Sequence, residues 1–62
     1  MRAFDAFWKG DIVRDVKTGH TGEVKYILPM INKVTVFWYD PLRQIVGPWD
    51  MYPDDVELVN TN

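Results

Sequence analysis

The lone histidine is the first candidate for chemistry, because imidazole groups bind metals and transfer protons in many proteins. His20 lies in the segment 17–22, which is rich in glycine and threonine, and no second cluster of ligand-type residues accompanies it. A metal site needs three or four converging ligands, so we interpret His20 as a solvated loop residue. The chain has no cysteine and no serine, which excludes disulfides, thiolate metal sites, cysteine nucleophiles and the Ser-His-Asp mechanism.

Acidic residues gather toward the end of the chain, where four of them follow residue 49 without any basic residue. They are Asp50, Asp54, Asp55 and Glu57. The Asp54-Asp55 pair lacks the alternating oxygen ligands of a calcium loop. We therefore expect these acids to cap a helical turn and to form a solvated acidic face. The sequence predicts no catalytic residue, no metal and no cofactor, and it favours a non-enzymatic protein.

A set of aromatic side chains is the strongest candidate for a binding surface. The set comprises Phe37, Tyr39, Trp49 and Tyr52. Aromatic walls of this kind bind a methylated cation, a nucleobase or a proline, and Asp40 or Asp50 nearby would favour a cation. The alternative is that the same rings pack under the N-terminal segment or between copies of the chain, because aromatic residues dominate cores and interfaces.

Basic residues of the first three predicted strands form a second candidate surface. They are Arg14, Lys17, Lys25 and Lys33. With an aromatic neighbour as a stacking partner, this face could bind nucleic acid. Alternatively, Arg14 and Lys25 pair with the acids Asp15 and Glu23 across strands. A net charge of −2 and an isoelectric point near 5.0 argue against a phosphate backbone as the main partner.

Short strands must position these residues, because alternation and β-branched runs dominate and no helical apolar period lasts beyond a turn or two. We predict strands at 11–16, 23–28, 33–39, 44–49 and 56–59, with turns rich in glycine, proline, asparagine and aspartate between them. A short 3₁₀ or helical turn at 52–55 precedes the last strand. These elements predict an all-β protein, a small and strongly bent five-stranded barrel.

The barrel is expected to span residues 10–59, between an N-terminal arm at 1–9 and a frayed tail at 60–62. The large rings of the arm are Phe4, Phe7 and Trp8. We expect them to cover an open end of the barrel or to meet another chain, because a core this small leaves room for a homo-oligomer.

The predicted core takes its members from alternate positions of the strands. It consists of Val13, Val24, Val34, Val36, Trp38, Val56 and Leu58. Three further residues have expected backbone roles. Gly10 would let the arm turn sharply into the first strand, Asp11 would accept hydrogen bonds from nearby amides, and Gly22 would adopt a conformation barred to other residues.

Length and composition limit the chain to one domain without a large internal cleft. It has 62 residues, of which 47% are hydrophobic, 15% aromatic and 26% charged, which is typical of a folded globular protein. No apolar run approaches the roughly 18 residues of a membrane span, and residues 1–5 lack the apolar core of a signal peptide. We therefore expect a cytoplasmic protein with no membrane partner.

The order of these elements resembles the SH3-like barrel of the KOW and Tudor-like type. The matching residues are Gly10-Asp11-Ile12-Val13-Arg14, Gly19 and Gly22 before Val24, Val34-Thr35-Val36 before Trp38, and Asp54-Asp55-Val56-Glu57-Leu58-Val59. The resemblance covers most of the chain. Short stand-alone barrels of this type are similar to small proteins of bacteria and their phages. If the chain is phage-encoded, this resemblance implies that it acts in the host cytoplasm. It implies a fold more strongly than a function, because this barrel serves many functions.

A second resemblance is to the plasmid-type (type II) dihydrofolate reductases, which are short SH3-like barrels that form a tetramer around a pore. Residues 10–14, 17–19 and the Tyr52-Pro53 pair are similar to that family. The pore motif of the family is Val-Gln-Ile-Tyr, whereas this chain has Trp49-Asp50-Met51-Tyr52. Asp50 replaces the glutamine, so four carboxylates would repel one another at the pore.

We interpret the chain as a binding or adaptor module that recognises a protein or peptide through the aromatic set. Nucleic-acid binding through the basic face is the alternative, and a reductase-like tetramer is a further one. Steep loss of affinity with salt would distinguish nucleic-acid binding, and a fourfold assembly would distinguish the tetramer.

Overall fold

The chain folds into one antiparallel sheet of five strands. The computed structural model describes residues 4–39 and 45–60, so Asp40 and the predicted turn at 40–43 lie outside the described residues. The strands are β1 (Ile12–Asp15), β2 (Thr21–Leu28), β3 (Lys33–Tyr39), β4 (Ile45–Met51) and β5 (Val56–Asn60). Short 3₁₀ turns lie at Phe4–Ala6, Pro29–Ile31 and Pro53–Asp55. The predicted all-β class is confirmed, and so is the short turn before the last strand.

Strand boundaries follow the hydrophobic pattern and the cross-strand pairs. β3 has its predicted bounds because β-branched and aromatic residues fill it. β2 begins at Thr21, earlier than predicted, since Thr21 pairs with Arg14 of β1. β4 continues past its predicted end at 49, since Met51 pairs with Val34 of β3.

The strands follow the order β4-β3-β2-β1-β5 across the sheet, so β4 and β5 are its two edges. The β3–β4 ladder pairs Val36 with Trp49 and Trp38 with Val46. From Val36 to Trp38 the chain of β3 advances by two residues, whereas the matching part of β4, from Trp49 to Val46, advances by three. One extra residue of β4 therefore forms a bulge beside Gly47. Such a bulge disrupts the ladder of an edge strand and increases its twist.

Among the residues that the structure describes, seven apolar side chains form the buried core. They are Phe7, Val13, Val24, Val34, Val36, Trp38 and Val56. Six of these were predicted, and the prediction for Leu58 was wrong, because Leu58 is 44% exposed. The reason is that β5 is an edge strand with one neighbour, so its burial ends after Val56. Phe7 of the N-terminal arm also belongs to the core. The sequence had indicated that its ring would cover an open end of the barrel or contact another chain.

Gly22 is required for space and not for an unusual backbone, which corrects the prediction. A Cβ at Gly22 would lie 2.6 Å from the carbonyl oxygen of Phe37 and 2.9 Å from Cγ1 of Val36. Gly10 has a positive φ of 92° where the arm turns toward β1. The two glycines therefore serve different purposes, close packing in one case and chain reversal in the other.

The buried Asp11 fixes the N-terminal arm to the sheet. Its carboxylate Oδ2 accepts the backbone N–H of Trp8 at 2.8 Å, as the sequence predicted. The backbone of residues 10 and 11 is also held by β2. Val24 N donates to the Asp11 carbonyl at 2.9 Å, and Gly10 N donates to the Val24 carbonyl at 2.8 Å. The arm is thereby a fixed part of the fold, at least from residue 4 onward.

Candidate binding site

An apolar concavity of about 290 Å³ lies between the β1–β2 loop and strands β3 and β4. Its lining residues are Asp15, Thr18, His20, Trp38, Tyr39, Val46, Trp49 and Met51. Trp38 is buried and Met51 is half-buried, whereas Trp49 is 58% exposed. The concavity therefore combines a fixed aromatic base with a large accessible ring, which is the usual form of a site that buries part of a ligand.

Cross-strand pairing brings the β4 residues of the concavity to the face of Trp38. Val34, Val36 and Trp38 point into the core, and their partners across the ladder are Met51, Trp49 and Val46 respectively. Residues paired in an antiparallel ladder share a face of the sheet. Trp49 and Val46 thus continue the core face outward onto the edge strand, where no further strand covers them among the described residues.

Gly47 permits the close approach of the chain to the Trp49 ring. Its φ is +129°, a conformation that favours glycine, and a Cβ there would lie 3.2 Å from Cδ1 of Trp49 and 3.1 Å from the carbonyl oxygen of Val36. The bulge in β4 and the position of the Trp49 indole therefore depend on the same glycine.

The β1–β2 loop holds the polar rim of the concavity in place. Oδ1 of Asp15 accepts the backbone N–H of Lys17 at 2.8 Å and, at a longer 3.4 Å, that of Thr18. Asp15 N donates to the His20 carbonyl at 2.8 Å, and His20 N donates to Oγ1 of Thr18 at 3.2 Å. His20 is exposed, as predicted, and the loop presents it at the rim of an apolar site.

The predicted aromatic set occupies three different settings. Tyr39 and Trp49 both line the concavity. Phe37 faces the other side of β3, with Nζ of Lys25 lying 5.8 Å from its ring centroid. The Tyr52 ring lies beyond β4, 4.5 Å from Nζ of Lys33. Two members of the set are therefore brought together, and each of the others has a lysine of the same chain near its ring.

The predicted basic residues make contacts within the chain. Nη1 of Arg14 lies 3.0 Å from Oε1 of Glu57, and Nζ of Lys25 lies 3.1 Å from Oε2 of Glu23. The prediction was that these two bases pair with Asp15 and Glu23 across strands. Lys25 instead contacts Glu23 of its own strand, β2, and Arg14 pairs with Glu57 of β5. The reason is the β1–β5 register, which places Arg14 directly opposite Glu57. Lys17 is exposed in the β1–β2 loop.

The acidic residues near the end of the chain occupy separate positions. Oδ1 of Asp50 accepts a hydrogen bond from Oγ1 of Thr35 at 2.8 Å, across the β3–β4 ladder. Asp54 and Asp55 lie in the first turn of the 3₁₀ segment, where the sequence predicted acids, and the N-cap residue Tyr52 makes no side-chain cap bond. Among residues 4–39 and 45–60, no group of three or more metal-ligand side chains is found.

Sequence reasoning missed most of the concavity because its members come from three parts of the chain. Trp38 was assigned to the core alone, and Val46 and Met51 were given no role in a site. Their shared face depends on the bulge at Gly47, which shifts the alternation of β4. The one available signal was the glycine itself, since an isolated glycine within a strand pattern marks a bulge or a close approach.

Comparisons of this chain with protein-family models, with curated proteins and with solved structures found no match in any of the three. Among the described residues, no helix is long and apolar enough to cross a membrane.

Proposed function

We propose that this protein is a non-enzymatic binding module, which holds a segment of a partner protein or peptide in the concavity. The observation that carries the proposal is the half-exposed Trp49 ring, which lines the same concavity as Trp38 and Tyr39. Tryptophan and tyrosine supply large contact areas with few rotatable bonds, so they lose little entropy when a ligand binds. An exposed tryptophan next to a fixed aromatic base is a typical centre of a protein interface.

The rigidity of the surrounding backbone supports the same function. Trp38 belongs to the core, Gly47 packs against Trp49, and the Asp15 carboxylate orders the loop that carries His20. A preformed site avoids the cost of ordering on binding. The strand order and the 3₁₀ turn before β5 support an SH3-like barrel as the scaffold, and we propose this scaffold together with the function.

Nucleic-acid binding and a reductase-like tetramer remain alternatives, but the contacts give them less support. Arg14 and Lys25 are each within 3.1 Å of a glutamate oxygen, which lowers the positive potential of the basic face. The Tyr52 ring is in contact with Lys33, and Asp50 is bonded to Thr35. Light scattering that gives four times 7.3 kDa would favour the tetramer.

Selection of peptides from a random displayed library tests the proposal directly. The immobilised wild-type protein is used for selection, and the enriched peptides are then measured against Trp49→Ala and Trp8→Ala. Trp8 is the matched control, because it is also an exposed tryptophan but lies outside the concavity. We expect Trp49→Ala to weaken binding about tenfold or more and Trp8→Ala to leave it unchanged. Failure to enrich any peptide, or equal binding by all three proteins, would contradict the proposal.

A further inference from the structure

A carboxylate lies on the core face of the sheet, at the concavity. Asp15 is the one side chain with a formal charge at pH 7 among the described lining residues. It follows the buried Val13 by two residues on β1, and it pairs with the buried Val56 of β5. Side chains alternate along a strand and paired residues share a face, so Asp15 lies on the face of both valines. Arg14, which precedes it, pairs with Glu57 on the opposite face.

Only one oxygen of this carboxylate has a partner within the described part of the chain. Oδ1 accepts the backbone N–H groups of Lys17 and Thr18, whereas no donor in residues 4–39 and 45–60 contacts Oδ2. No buried side-chain oxygen of those residues lacks a hydrogen-bond partner, so Oδ2 of the half-buried Asp15 is accessible from the surface. The loop therefore fixes the carboxylate and leaves one oxygen for a ligand.

The aromatic rings of the concavity favour the same kind of ligand. Trp49, Trp38 and Tyr39 line it, and the faces of aromatic rings attract cations. Elsewhere in the molecule a cation lies over a ring, since Nζ of Lys33 is 4.5 Å from the ring centroid of Tyr52. No lysine or arginine is among the described residues that line the concavity. The rings and the carboxylate there are thus available to a cation from a partner.

We propose that the concavity recognises an unmodified arginine side chain of the partner segment, an inference that rests on the proposed function. The planar guanidinium lies against the accessible Trp49 ring while its N–H groups donate to Oδ2 of Asp15. The methylene groups of the arginine pack on the apolar side chains of Val46 and Met51, which line the same site. A lysine offers a compact and strongly hydrated charge, and methylation of the arginine removes N–H donors, so both bind less tightly.

Charge supports a basic segment as the partner. The chain has a net charge of −2, which attracts basic peptides and repels acidic ones. Salt screens a single ion pair in a half-enclosed site only in part, so binding persists in high salt. Nucleic acid behaves differently, because its many phosphate contacts make affinity fall steeply with salt.

A titration with N-acetyl-arginine amide tests the inference, with the indole N–H signal of Trp49 as the NMR readout. N-acetyl-citrulline amide has the same shape without the charge, and we expect it to bind about tenfold more weakly or worse. Asp15→Asn keeps an oxygen that can accept the loop N–H groups, and it should reduce arginine binding to the level of citrulline. Unchanged amide signals of Gly19 and His20 would show that the loop persists. Glu57→Gln is the matched control, because it removes the same charge from the opposite face.

Equal binding of the arginine and citrulline amides by the wild type would overturn the inference. So would an Asp15→Asn protein that binds arginine as well as the Glu57→Gln protein does. The wild-type comparison needs no variant, so it decides the matter even if Asp15→Asn fails to fold.

Peptides selected on the wild-type protein separate this inference from the proposed function. We expect arginine in the peptides whose binding depends on Trp49, and its replacement by citrulline should weaken binding about tenfold or more. Peptides that depend on Trp49 and contain no arginine would overturn the inference and leave the proposed function intact. Failure to enrich any peptide would contradict the proposed function, whereas the titration with the two amides still decides whether the concavity binds arginine.

Discussion

Gly22 of β2 lies directly opposite Trp38 of β3, so closely that a Cβ on Gly22 would be 2.8 Å from Cε3 of the indole. The Trp38 ring therefore packs over bare backbone. This contact connects the core to the candidate site, because the same ring is buried and also lines the concavity. The absence of a side chain at Gly22 thus lets the Trp38 ring lie close against β2.

Gly22→Ala should destabilise the protein by about 2–3 kcal/mol, because the added methyl group overpacks a site bounded by backbone and rigid rings. Gly19→Ala is the control. Gly19 has a φ of +79° with open space around its Cβ position, so its replacement should cost only the strain of the left-handed conformation, about 1–2 kcal/mol. Urea unfolding of the two variants measures the difference. An equal or smaller loss for Gly22→Ala would show that the ring moves aside freely.

Asp11→Ala should release the N-terminal arm. The substitution removes the carboxylate that accepts the partly buried Trp8 N–H, and the loss of a hydrogen bond to a charged group costs about 1.5–3 kcal/mol. Asp11→Asn retains a side-chain oxygen that can accept the same bond, so the loss should be smaller. Hydrogen exchange at the Trp8 amide reports the bond itself. Equal protection of that amide in the wild type and in Asp11→Ala would contradict the assigned role.

The Arg14–Glu57 pair should contribute little to stability. Both side chains are more than 40% exposed, and pairs of this kind typically contribute about 0.2–1 kcal/mol. A double-mutant cycle with Arg14→Gln and Glu57→Gln would isolate the interaction, and we expect it to decrease with added salt. A coupling energy of several kcal/mol that does not change with salt would contradict this prediction, because it would require a pair that is shielded from water.

The sequence was sufficient to predict the strands and the core, because those depend on alternation and on β-branched residues. The strand at 33–39 and the buried valines of β1, β2 and β3 are examples. Leu58 was placed wrongly because alternation alone does not reveal that β5 is an edge. Gly22 was assigned the wrong cause, since a close approach between strands depends on tertiary packing.

The candidate site was harder to predict from the sequence. Tyr39 and Trp49 were singled out by their chemistry, and the structure places both in the concavity. Phe37 and Tyr52 have the same chemistry but lie against lysines elsewhere. Residue type cannot separate these cases, because the surroundings of each ring depend on its place in the sheet: Phe37 lies on β3, Trp49 on the bulged strand β4, and Tyr52 after β4. Asp15 and His20 join the site through the conformation of the loop, which is held by hydrogen bonds of Asp15 and Thr18 within the loop.

The measurement that tests the central claim most directly is an NMR titration that follows the indole N–H signals of the three tryptophans. These signals report separately on the arm at Trp8, the base of the concavity at Trp38 and its accessible ring at Trp49. On addition of a selected peptide, we predict large shifts at Trp49 and Trp38 that persist in high salt, with Trp8 unchanged. Shifts confined to Trp8, or shifts at the backbone of Arg14 and Lys25 that disappear with salt, would contradict binding in the concavity.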